Sequence, residues 1–106
     1  MMPMVTKFTT TSENYDLLQD SEVLNKIADV MGKGAAEKLS LGISIRCSVE
    51  IKMVLVEEED TTTLIINGGS SEQDLVDGTT WSSYGPRDFY SIVVKDSGKT
   101  GYITIH

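Results

Sequence analysis

A chain of 106 residues, 40% hydrophobic and 24% charged, has the size and composition of one ordinary globular domain with a single modest core. Sixteen acidic against nine scattered basic residues leave a net charge of -7, which argues against a phosphate-tracking nucleic-acid surface and suits either simple solubility or a basic protein partner. No run of about 18 apolar residues offers a membrane span, and the start Met-Met-Pro-Met-Val-Thr-Lys has no apolar stretch of a secretion signal. A cytoplasmic setting is the default expectation, with no membrane and no nucleic acid as partner.

Taken in chain order, residues 1–11 are Thr-rich with Val5 and Phe8 as apolar points, and read as a short edge strand or a loose arm. Residues 12–39 are the helical region. Asp20 and Ser21 are natural N-caps, and Glu22 sits where the helix dipole favours an acid. Val23, Leu24, Ile27, Val30 and Met31 fall at helical spacing, and Gly32 is a stop. Ala35, Ala36 and Leu39 resume a short turn, while Tyr15, Leu17 and Leu18 suit an earlier turn capped by Ser12.

The strongest pattern covers residues 43–56. Ile43, Ile45, Cys47, Val49, Ile51, Met53 and Leu55 alternate with Ser44, Arg46, Ser48, Glu50 and Lys52, and only Val54 and Val56 break the polar set. A side-chain period of two over this length predicts a long strand with one buried face, on which the helical stripe packs. Its far end is apolar on both sides and needs a cover, which makes self-association an expectation. Cys47 cannot form an internal disulfide, being the single cysteine, and reads as a small core residue.

Residues 57–60, Glu-Glu-Glu-Asp, read as a solvated turn rather than a cation site. The β-branched run 61–67 reads as the return strand of a first hairpin. Asn67-Gly68-Gly69 is turn chemistry, and residues 70–88 read as a long loop with a turn of helix near 72–76. Residues 89–95 and 100–105, joined by Asp96-Ser97-Gly98-Lys99, read as a second hairpin. The fold expectation is a single α+β domain over 1–106: an N-terminal helical region (12–39) packed on an antiparallel sheet of two hairpins, with 41–106 β-rich.

The stretch from Phe89-Tyr90 through Gly98-Lys99-Thr100-Gly101-Tyr102-Ile103 resembles the terminal hairpin of bacterial SH3-like domains, with Phe89 where that family usually has Trp. The resemblance covers about 15 residues and implies a five-stranded barrel over 41–106 that binds peptides or cell-wall glycans. Ser97-Gly98-Lys99-Thr100 is not a phosphate loop, because Val93 stands where the first Gly is needed and a strand-like run follows. Gly32-Lys33-Gly34 likewise lacks the third Gly of a dinucleotide fingerprint.

Catalysis by a Ser-His-Asp or Cys-His pair would have to draw on His106, the single histidine and last residue. One His and one Cys cannot make a zinc site. No catalytic residue, metal or cofactor is therefore assigned; paired carboxylates in a cup between helix and sheet are the enzymatic or small-ligand alternative. Residues 78–90 instead gather the only Trp with Tyr, Arg and Phe, the residue types that dominate contact hot spots. The expected binding residues are Trp81, Tyr84, Arg87, Phe89 and Tyr90, in an interaction module of inhibitor or adaptor type that holds a protein partner or itself. The competing reading is that Trp81 and Phe89 plug the end of the sheet.

Overall fold

The structure, a computed structural model, describes residues 4–54, 61–69, 71–76 and 79–106. The alternation of the central stretch is realised from Ile45 to Val54 as strands β3 (Ile45–Cys47) and β4 (Val49–Val54), separated by Ser48. Ile45, Cys47, Val49, Ile51 and Met53 are buried, whereas Arg46, Glu50, Lys52 and Val54 face water. Ile43 lies outside the strand and is half exposed. Val54 is 44% exposed, as its place on the second face requires; Leu55, Val56 and the acidic run 57–60 lie outside the described residues.

Around this pair the chain forms β1 (Met4–Thr9), β2 (Tyr15–Asp16), α1 (Ser21–Met31), α2 (Lys33–Ser40), β5 (Thr61–Ile66), β6 (Ser71–Val76), β7 (Thr80–Ser82), β8 (Arg87–Phe89), β9 (Ile92–Val94) and β10 (Thr100–Ile105). One sheet runs β1-β10-β4-β7, a second runs β2-β9-β5-β6, and β3 pairs with β8 as a separate ribbon. Every pairing is antiparallel. Ile51, Met53, Ile103 and Ile105 of the first sheet share one core with Leu64, Ile66, Ile92 and Val94 of the second. Among the described residues no helix is long and apolar enough to cross a membrane.

The helices follow local rules. The Asp20 side chain accepts from the N–H groups of Glu22 and Val23, at 2.9 and 3.2 Å, and opens α1. Gly32, at φ 96°, ends it and lets α2 start at once. Val23 and Ile27 are fully buried, and α1 lies against β1 and β10 of the sheet that contains β4. The earlier turn exists as a short 3-10 segment, Leu17–Gln19, but its cap is Asp16, not Ser12. Asp16 accepts from Leu18 N–H at 3.0 Å and also from Ile92 N–H at 3.1 Å, so one carboxylate ties the turn to β9.

The two expected hairpins are not the pairing that forms. β4 pairs with β10 and β7, while β5 pairs with β6 and β9. The return strand to β5 is β6, where a loop and a turn of helix were expected. Asn67, Gly68 and Gly69 at φ 49°, 73° and 95° reverse the chain and lay 71–76 beside β5. β9 and β10 also fall in different sheets, so the segment 89–103 is not one hairpin. Thr10, at the end of β1, explains the crossing. Its hydroxyl donates to Asp96 O and accepts from Lys99 N–H, both at 2.8 Å, and its carbonyl accepts from Gly98 N–H at 2.7 Å. The turn is thereby clasped to β1, and the chain leaves it as a neighbour of that strand.

Cys47 is buried, and desolvation pushes its thiol up to about 11 from an ordinary 9.0. The native thiol is therefore expected to resist a thiol-selective reagent at pH 8 and to react once on denaturation. The native state holds its proton more tightly than the unfolded state. Cys47 should thus leave stability untouched below pH 9 and reduce it as pH rises from about 9 to about 11, where only the unfolded thiol ionises. Unfolding titrations of the wild type and Cys47→Ala across that window check the sign: the difference between them must change in this direction.

Candidate functional site

The loop after β7 is built on one buried hydroxyl. β7 pairs with β4 as Glu50↔Ser82, Ile51↔Trp81 and Lys52↔Thr80. Ser83 extends that pairing by one residue: its N–H donates to Val49 O at 2.9 Å. Its side chain then takes the place of the next backbone groups. Ser83 Oγ accepts from Val49 N–H at 3.0 Å and donates to Gly85 O at 2.7 Å, and Ser83 itself is buried. Ser82 Oγ accepts from Tyr84 N–H at 3.0 Å. Four hydrogen bonds within three residues hold the chain in a sharp reversal, which Gly85 at φ 116° and Pro86 complete.

Tyr84 sits at the apex with φ 56° and is 96% exposed. A left-handed backbone is disfavoured for a bulky side chain by clash of Cβ with the carbonyl that follows. Beside it runs a shallow groove of about 180 Å³, lined by Leu75 from β6, Thr79, Thr80, Trp81, Ser82 and Tyr84. Leu75 was not among the expected contact residues. It lies in a Ser-, Glu- and Asp-rich stretch whose sequence gives no strand signal, and only pairing with β5 brings it here.

The expected residues separate into different roles. Trp81 is half-buried and meets Phe89 edge-on, with ring centroids 6.2 Å apart and planes at 77°. Phe89 is 0% exposed and packs beneath Trp81 in the core, so it does not lie on the loop's surface. Arg87 is exposed and its guanidinium lies 5.7 Å over the Phe89 ring. Trp81 and Tyr84 share the groove, and Arg87 stands at the other end of Gly85-Pro86. Tyr90 points elsewhere, over the Asn67–Gly69 turn, where a Cβ on Gly68 would come within 2.6 Å of its hydroxyl.

Asn67 connects that turn to the site. Its side-chain amide donates to Asp88 O at 2.9 Å, and its side-chain oxygen accepts from Tyr90 N–H at 2.9 Å and Ser91 N–H at 3.4 Å. Replacing it by Ala removes these bonds and puts a side chain with no local partner at φ 49°. The expected loss is about 1–2 kcal/mol of unfolding free energy, read in urea melts; Asn67→Asp, which keeps the accepting oxygen, should lose less.

A second concavity of about 300 Å³ lies on the outer face of the first sheet, lined by Val5, Glu50, Lys52, Thr80, Tyr102 and Thr104. It contains one carboxylate, Glu50, and so offers no carboxylate pair. Among the described residues no three metal-ligating side chains converge. The ion pair Arg46–Asp88, 3.7 Å apart and widely exposed, contributes little in water.

No protein-family model, no curated protein sequence and no solved structure matches the chain.

Proposed function

We propose that this protein is a non-catalytic interaction module of inhibitor or adaptor type. Its contact element is the β7–β8 loop, with Tyr84 as anchor and Trp81 and Arg87 beside it. The observation that carries this reading is Tyr84 itself: 96% exposed, left-handed, and held there by Ser82 and Ser83. The ring returns almost no packing energy to the fold, while its backbone conformation costs on the order of 1 kcal/mol. A rigid, solvated aromatic next to a groove binds at low entropic cost, because the loop is ordered before the partner arrives. The partner is a protein with a recess for an aromatic ring. A cytoplasmic setting suits the single unpaired thiol of Cys47.

Tyr84→Gly tests this without harming the fold. Glycine accepts the left-handed backbone, so stability is expected to stay unchanged or rise by about 1 kcal/mol. Capture from an extract of the source cells, comparing immobilised wild type with Tyr84→Gly, should lose the specific partner at least about tenfold, or 1.4 kcal/mol. Equal capture by the two chains would sink the proposal. The carboxylate-cup alternative draws no support from the two concavities described, which are lined by strand and loop residues and contain one acid, Glu50. The SH3-like reading rested on a hairpin over 89–103 whose two strands lie in separate sheets.

A further inference from the structure

Among the described residues the two sheets end in four edges: β1, β7, β2 and β6. β2 has two residues and β7 three. The sequence of β6, Ser-Glu-Gln-Asp-Leu-Val, includes two acidic residues, a composition unfavourable to edge pairing. β1 is different. It is six residues long, Met-Val-Thr-Lys-Phe-Thr, and pairs with β10 at every position without a bulge. Its one charge is Lys7.

The direction of its backbone groups follows from the ladder. Thr10 N–H donates to Lys99 O, the position next after Thr9↔Thr100, and Ser48 and His106 exchange both of their backbone bonds. Antiparallel ladders alternate, so β10 bonds β4 through its even positions and β1 through its odd ones. Residues 4, 6 and 8 of β1 therefore face β10, and Val5, Lys7 and Thr9 direct their N–H and C=O groups to the free edge. Among the described residues these groups make no hydrogen bond. Val5, Lys7 and Thr9 are exposed, whereas Thr6 and Phe8 are buried.

We propose that the occupant of this edge is a second copy of the chain, paired antiparallel through β1 with Lys7 opposite Lys7 across the two-fold axis. That register sets Val5 against Thr9 and Thr9 against Val5, satisfies three outward donors and three outward acceptors on each copy, and keeps the buried faces of both sheets on the same side. The alternative centred on Thr6 keeps the faces aligned but makes two fewer hydrogen bonds. Its one advantage is separation of the two lysines, a repulsion that water screens. The dimer is one continuous eight-stranded sheet. The aromatic loop follows β7 at the opposite edge, three strands or about 14 Å away. If the reading of that loop holds, the dimer presents two anchors, and a multivalent partner gains avidity.

Sedimentation velocity of the full chain over a concentration series up to about 1 mM tests the proposal. The expected result is a reversible monomer–dimer equilibrium. Lys7→Pro should abolish it: the N–H it removes points away from β10, so the internal ladder survives. Lys7→Thr removes the like-charge pair and should tighten the dimer about threefold. Lys7→Cys should oxidise to a disulfide-linked dimer, since facing residues of a hydrogen-bonded pair have Cα atoms about 5.5 Å apart, within disulfide reach. This variant decides the question if Lys7→Pro does not fold. A monomer at every concentration overturns the proposal, and so does a dimer that survives Lys7→Pro or fails to cross-link through Lys7→Cys. None of these results depends on Tyr84, so the two surfaces are judged separately.

Discussion

Replacing Gly101 by Ala is expected to lower the unfolding free energy by about 3 kcal/mol, the upper range for overpacking a core. A Cβ at this position would lie 2.7 Å from Lys52 O, 2.8 Å from Phe8 Cζ and 3.1 Å from Met53 Sδ. Gly101 sits in β10 between Phe8 of β1 and Met53 of β4. The nearest atom is a backbone oxygen of the neighbouring strand, which cannot move without pulling the ladder apart. Phe8 and Met53 are buried on the same side and have nowhere to retreat. Gly98 is the matched control. It has φ 73° with open space around its Cβ position, so Gly98→Ala pays only backbone strain, about 1 kcal/mol. Urea titrations followed by Trp81 fluorescence give both values. Equal losses at the two sites would mean that β1, β10 and β4 do not approach as closely as described.

Ser83→Ala should remove about 2 kcal/mol and also disorganise the β7–β8 loop, the proposed contact element. The Val49 N–H it abandons belongs to a residue with no accessible surface, so water cannot replace the lost acceptor. The Gly85 carbonyl loses its donor in the same step. The loop then no longer offsets the left-handed backbone of Tyr84, and partner capture should fall together with stability. Ser83→Thr keeps the hydroxyl and should retain most of both. Hydrogen exchange at the Val49 amide reads the local effect: its protection should drop in Ser83→Ala and persist in Ser82→Ala, which removes only the bond from Tyr84 N–H. Loss of protection in both variants, or in neither, would show that Ser83 is not the hub of the loop.

The site residues illustrate how far residue type alone can reach. Trp81, Tyr84 and Arg87 were singled out because their chemistry is that of contact surfaces; Tyr84 and Arg87 are exposed, and Trp81 lines the groove half-buried. Phe89 was chosen by the same criterion and lies in the core, because the ribbon pairing sets it opposite buried Ile45. Ser83, the residue that organises the loop, carries no signal in the sequence: it is one of two adjacent serines, and only its register opposite Val49 makes its hydroxyl indispensable. Asn67 was read as a turn residue and is one, yet its side chain also ties down the end of β8 and the link to β9, at Asp88, Tyr90 and Ser91.

What the sequence determined by itself is whatever a few neighbouring residues decide. Asp20 and Gly32 bound α1 because capping and left-handed geometry are local. The burial of Cys47, Ile51 and Met53 follows from a period of two, which any strand in any sheet must show. The partner of each strand was decided only in three dimensions. Every strand offers the same row of donors and acceptors, so alternation names a face and never a neighbour. Consecutive strands make a hairpin when the turn alone governs, as at β5–β6, a hairpin the residue pattern did not predict. Where a distant side chain intervenes, as Thr10 does at the 96–99 turn, the chain passes into the other sheet, and β1, from the far end of the sequence, becomes the neighbour of β10.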